Sequence, residues 1–178
     1  MKIIKTKIND CVLIEPQVYE DKRGFFLETF SEKKYSKILG TSFKFLQDNH
    51  SRSQKNVLRG LHFQKNDPQG KLVRVVTGKV FDVAVDIRKN SQTFGEYVSV
   101  ILSQEQKNQF WIPPGFAHGF VVLSEFADFE YKCTKYYDPD DESSIIWNDP
   151  DINIHWPIKN PLISEKDLNA PYLKDIVL

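Results

Sequence analysis

Apolar residues in this chain fall in short runs broken by turn signals, and few segments carry the three-to-four spacing of an amphipathic helix. The runs lie at residues 25–30, 43–47, 71–77, 79–87, 97–102, 109–112, 120–123 and 129–134. Between 79 and 87 the alternation is strict. Phe81, Val83, Val85 and Ile87 share one face, and Asp82, Ala84 and Asp86 share the other, with Gly78 supplying the preceding turn. Many short strands at this rhythm predict an all-β sandwich or barrel. One helix is predicted over residues 32–39, where Ser31 stands as N-cap, Tyr35, Ile38 and Leu39 line one side, and Gly40 ends it. A second short helix opens at Ser164. From Asp149 onward the chain is rich in Pro, Asn and Asp and is predicted to wrap over the barrel.

Composition supports that picture. A chain of 178 residues with no internal shift in composition is expected to fold as a single domain over 1–178. Its thirteen Phe, seven Tyr and three Trp favour strands and aromatic-lined surfaces. Lys plus Arg equals Asp plus Glu at 24 each, so no global field draws the protein to nucleic acid or an anionic membrane, and any anion site must be local. Cys11 and Cys133 form no CxxC pair and are read as reduced, partly buried thiols. Residues 108–124 lack formal charge but contain Pro113, Pro114, Gly115 and Gly119, which makes them a poor membrane helix. No secretory signal is visible at the N-terminus, so the expected address is cytoplasmic.

The chemistry concentrates in a few strings. Val57-Leu58-Arg59-Gly60-Leu61-His62-Phe63-Gln64 sets an Arg and a His around a glycine; taken alone, such a histidine is more often structural than catalytic. In the next strand Lys71 shares a face with Val73 and Val75, where an ordinary solvated lysine is out of place. Pro113-Pro114-Gly115-Phe116-Ala117-His118 has the Pro-x-Gly-x-x-His spacing of the second cupin motif, in which a turn delivers a histidine into a small β-barrel. A metal-binding cupin also carries a His-x-His pair and a glutamate. This chain offers only His62 in the matching place, so no metal is expected. Tyr131 lies on the strand face of Phe129 and Cys133, and its bland reading is packing. Ser164-Glu165-Lys166-Asp167 reads first as a helix-opening cap.

Taken in order, the strings LRGLH, QGKLVRV, GKVFDVAVDIR, PPGFAHGF and YKCT, with RGFFLETF before them and Ser164 to Asp167 after, resemble the dTDP-4-dehydrorhamnose 3,5-epimerase family. The resemblance runs from about Asp21 to Asp167. A departure from the family pattern is the short loop Lys65-Asn66-Asp67-Pro68. The resemblance implies a double-stranded β-helix, the cupin-like jelly roll, with short peripheral helices. It also implies a homodimer that exchanges N-terminal strands, and a dTDP-4-keto-6-deoxyhexose substrate handled without any cofactor. In such a substrate the C4 ketone acidifies the protons at C3 and C5, and removing either leaves an enolate with charge on O4.

By the same resemblance His62 is the general base and Asp167 the carboxylate that orients it. Tyr131 is the acid on the opposite face, and Lys71 with His118 nearby stabilises the enolate. Arg23, Glu28, Gln47, Asn49, Arg59, Glu142 and Lys166 are implied substrate contacts, with Phe26 stacking on the base. Asp82 is read as an interior support for the histidines. Two other functions stay open at this point: a C3-only epimerase of the same family, and a metal-dependent cupin using His62 and His118 as ligands. A sugar-binding cupin without catalysis would leave Tyr131 and the His62 and Asp167 pairing without purpose.

Overall fold

The computed structural model describes residues 1–40 and 44–177. The strands are β1 (Lys2–Lys5), β2 (Val12–Glu15), β3 (Val18–Asp21), β4 (Gly24–Leu27), β5 (Gln47–Gln54), β6 (Leu58–Gln64) and β7 (Lys71–Thr77). They continue with β8 (Lys79–Asp86), β9 (Tyr97–Ser103), β10 (Gln109–Ile112), β11 (Phe116–Val122), β12 (Phe126–Cys133) and β13 (Glu142–Ser144). Helix α1 spans Glu32–Leu39 and α2 spans Glu165–Leu168. A six-stranded sheet in the order β1-β2-β10-β7-β12-β5 packs on a five-stranded sheet in the order β13-β6-β11-β8-β9. Every strand pairing within them is antiparallel. Two such sheets face to face make the cupin-like jelly roll.

The space between the sheets is filled from both sides. Val73, Val75, Phe110 and Phe129 of the larger sheet meet Val80, Ala84, Phe120 and Leu102 of the smaller. The apolar stripe Phe81, Val83, Val85 and Ile87 does not face this interior. It points outward, where Ile145 just after β13 and Ile152, Ile154 and Leu173 of the C-terminal wrap bury it. The Asp82, Ala84 and Asp86 face is the inner one. Both faces of β8 are therefore buried, and the alternation in its sequence separates two kinds of interior.

The outer face of the larger sheet is covered by α1. Tyr35 is fully buried against Ile14, Leu72 and Trp111. Its hydroxyl donates to Gln109 Oε1 at 2.6 Å, and burial pushes the phenol up to about 12. Ser31 and Gly40 flank α1 as expected, Gly40 in the left-handed region at φ 63° that a glycine adopts without strain. Ser31, however, caps by backbone geometry alone, with no side-chain hydrogen bond.

Several strand boundaries differ from expectation. The apolar run at 25–30 yields only β4, which pairs with β3 in a hairpin separate from both sheets. Of the expected strand at 43–47, Phe43 lies outside the described residues and Gln47 alone is in strand, as the first residue of β5. Both cysteines are free and buried. Among the described residues no helix is long and apolar enough to cross a membrane.

Candidate active site

At one end of the jelly roll a cavity of about 340 Å³ opens between the sheets. The smaller sheet lines it with His62, Phe63 and Gln64 of β6 and Glu142 of β13. The larger sheet contributes Gln47 and Asn49 of β5, Lys71 of β7 and Tyr131 of β12, while Gln69 and Tyr137 come from flanking loops.

His62 Nε2 lies 2.7 Å from Asp167 Oδ1. The carboxylate comes from α2, 105 residues further along the chain. Ser164 Oγ accepts the Asp167 backbone N–H at 3.1 Å, so the helix cap and the Asp167 pairing with His62 coexist in one arrangement. The second oxygen of Asp167 accepts the Gly60 N–H at 3.3 Å. Burial raises the Asp167 carboxyl, but the hydrogen bond and charge of His62, with the Gly60 and Ser164 bonds, outweigh it and hold the group below the usual carboxylate range. An ionised Asp167 requires the hydrogen on Nε2, which leaves Nδ1 as the basic nitrogen.

Tyr131 stands on the opposite sheet. Burial, with Cys133 beside it, raises its phenol despite the opposing charge of Arg59, so the hydroxyl keeps its proton. Lys71 pairs in register with Cys133, two residues beyond Tyr131 on β12. Burial pushes the Lys71 ammonium down from the usual lysine range, against the pull of Cys133, Glu142 and Asp82. A cation under that penalty gains most from an anion placed beside it.

His118 is the cross-strand neighbour of His62 on β11 but is not among the side chains lining the cavity. It is buried, with Nε2 3.0 Å from both oxygens of the fully buried Asp82 and its ring stacked on Phe129. Each histidine is thus held by its own carboxylate. Among the described residues no group of three or more His, Cys, Asp or Glu side chains is arranged to hold a metal ion.

The expected substrate contacts divide into two groups. Gln47, Asn49 and Glu142 line the cavity. Lys166 pairs with Glu142 at its edge, and Arg59 is exposed, donating to Ser53 Oγ at 2.9 Å. Arg23, Phe26 and Glu28 do not join them within one chain. Arg23 forks onto Asp21, Glu28 pairs with Lys34, and Phe26 is 69% exposed on the β3–β4 hairpin. Tyr137 was not anticipated. Half exposed, it lines the cavity and donates its hydroxyl to Glu142 Oε2 at 3.0 Å. The signal in the sequence was two adjacent tyrosines in a loop, Tyr136 and Tyr137, where packing gives no reason for them.

A second cavity on the outer face of the larger sheet is lined by Asp48, His50, Arg74, Glu130 and Lys132. These side chains pair among themselves, Arg74 with Glu130 at 2.8 Å and Lys132 with Asp48 at 2.9 Å. His50 is paired there too, with Asp128 and Glu130, so the charged groups of that surface are matched.

The family model for dTDP-4-dehydrorhamnose 3,5-epimerase matches residues 5–175. The dTDP-4-dehydrorhamnose 3,5-epimerase of Salmonella typhimurium is 56% identical, over 100% of this chain and 98% of its own length. The crystal structure of dTDP-6-deoxy-D-glucose-3,5-epimerase from Legionella pneumophila in complex with dTDP-4-keto-L-rhamnose superposes with a TM-score of 0.97 at 56% identity, covering 99% of this chain and 94% of that one. A 3'-monoepimerase, ChmJ from Streptomyces bikiniensis, in complex with dTDP-quinovose, superposes with a TM-score of 0.90 at 33% identity, covering 96% and 87%. The chain belongs to the dTDP-4-dehydrorhamnose 3,5-epimerase family.

Proposed function

We propose that this protein is an isomerase that converts dTDP-4-dehydro-6-deoxy-D-glucose to dTDP-4-dehydro-L-rhamnose by inverting C3 and C5, on the route to dTDP-L-rhamnose. The observation that carries the reading is the His62 and Asp167 pair on one sheet and Tyr131 on the other, lining one cavity with Lys71. Nδ1 of His62 takes the proton next to the ketone, and Asp167 stabilises the imidazolium. The electrons move into the ketone, and Lys71 meets the charge on O4. Tyr131 then delivers a proton from the opposite face, completing the inversion.

The choice of C3 and C5 over C3 alone is supported by similarity, 56% to the named 3,5-epimerase of Salmonella typhimurium against 33% to the monoepimerase. Proton NMR in deuterated water tests it directly. Deuterium at both C3 and C5 of a product with L-rhamno configuration is expected, and labelling at C3 alone would make this a monoepimerase. The reading includes a homodimer in which the β3–β4 hairpin of each chain serves its partner's cavity. Its support is that Arg23 and Phe26 are exposed and lie outside their own chain's cavity. A cytoplasmic address goes with it, favoured by two buried thiols that are free rather than bridged.

A further inference from the structure

The segment at residues 135–138, which puts Tyr137 in the cavity wall, is bend and irregular backbone, yet it is fastened at each successive residue. Three glutamine side chains do this. Gln69, in the loop before β7, donates to Lys135 O at 3.0 Å. Gln64, at the end of β6, donates to Tyr136 O at 3.3 Å and accepts from Asp138 N at 3.1 Å. Gln47, at the start of β5, accepts from Tyr137 N at 2.8 Å. Gln64 also donates to Asp67 O at 3.0 Å, in a loop that Asp141 holds through the Asn66 and Asp67 backbone N–H groups.

Gln64 faces the cavity and is 5% exposed, but it has no donor left to offer a ligand. Both amide hydrogens are engaged with backbone, and the carbonyl oxygen accepts from Asp138 N. Its effect on the site must pass through what it holds. The residue so held with a side chain in the cavity is Tyr137, a half-exposed aromatic ring of the kind that stacks on a pyrimidine.

We propose that Gln64, assisted by Gln47 and Gln69, is a positioning residue for nucleotide binding, fixing the 135–138 segment so that Tyr137 meets the base of the sugar nucleotide. This rests on the epimerase reading for the identity of the nucleotide. The hydroxyl bond from Tyr137 to Glu142 fixes the tip of the side chain and the glutamines fix its root. A ring anchored at both ends loses little further freedom on stacking.

The test is a double-mutant cycle on dTDP affinity, measured by titration calorimetry, with Gln64→Met, Tyr137→Ala and the pair. Methionine keeps the volume and removes the bonds. Gln64→Met is expected to weaken dTDP about tenfold, the scale of losing one or two such bonds, and to raise KM in step while kcat stays within about twofold. The double variant should bind dTDP no more weakly than Tyr137→Ala alone. Losses that multiply, or a fall in kcat with dTDP affinity intact, would overturn the assignment. If Gln64→Met does not fold, Gln69→Ala enters the cycle in its place, and multiplying losses there overturn the proposal equally. Wild-type protein that binds dTDP but does not turn over the 4-keto sugar would sink the epimerase reading and leave the cycle interpretable.

Discussion

In the proposed mechanism Tyr131 and His62 divide one inversion between two faces of the sugar, and separate substitutions test that division. Tyr131→Phe keeps the base and the enolate stabiliser, so the enolate still forms while the far-side proton is missing. Recovered, unepimerised substrate should carry solvent deuterium, with inversion reduced by about 10²-fold or more, the usual scale of a general acid. Mass spectrometry with product stereochemistry reads both quantities, and inversion at the parent rate would return Tyr131 to a packing role. Lys71, as the proposed enolate stabiliser, is expected to trade stability against turnover. Its folded pKa is depressed, chiefly by burial, so its cost to the fold is present at neutral pH and fades only as pH rises towards the unfolded value. Lys71→Met should therefore raise the melting temperature by about 2–4 °C, for about 1 kcal/mol in a chain of this size, while removing most turnover. Asp167 has the opposite sign. Its depressed folded pKa contributes stability above the ordinary carboxylate range, which is lost as pH falls through the folded value. Asp167→Asn should flatten the acid limb of melting temperature against pH, and an unchanged limb would remove Asp167 from that role.

Among the elements, β6 and β11 approach most closely where the two histidines sit. A Cβ on Gly60, at φ +124°, would lie 2.5 Å from Gly119 Cα and 2.7 Å from His118 O, and the β6–β11 register shifts between His118 and Phe120 at that point. Gly60→Ala should cost about 3 kcal/mol or more, a drop of about 6–12 °C in melting temperature, through backbone strain and overlap. A thermal shift under 2 °C by the same measure would mean the strands part without cost. The glycines beside each histidine were visible in LRGLH and AHGF, but their mutual contact was not, because it depends on register between segments 59 residues apart. Strands β7 and β10 were read to the residue from their apolar runs. Strand β5, QDNHSRSQ, offered no apolar run at all, since it lies at the edge of its sheet with Gln47 and Asn49 in the cavity and Asp48, His50 and Arg52 exposed. The stripe on β8 was legible as a face from its alternation; that it is the outer one followed only from reading Asp82 as interior, and the residues that cover it were not legible. His62 and Asp167 were linked through family resemblance; spacing alone gives no reason to join residues so far apart.

For the whole molecule, the separation of Arg23 and Phe26 from their own cavity makes subunit exchange measurable. If the hairpin serves the partner, chains carrying Phe26→Ala and chains carrying His62→Ala fail alone but complement when unfolded and refolded together. One of the two sites in each mixed dimer then has both residues, and half the dimers are mixed, so about a quarter of wild-type activity should return. No recovery, with mixed dimers verified by mass spectrometry, would place Phe26 and His62 in the same chain's site or outside it.

The distance in sequence between His62 and Asp167 also has a consequence in time. A ribosome that has just added His62 must add 105 more residues before the carboxylate partner of that histidine exists, at about 5–20 residues per second. Throughout that interval the emerging barrel has an imidazole with nothing to orient it. If His62 is the base that the proposed mechanism makes it, chemistry at a reactive ketone is thereby withheld from nascent chains until Asp167 has been added.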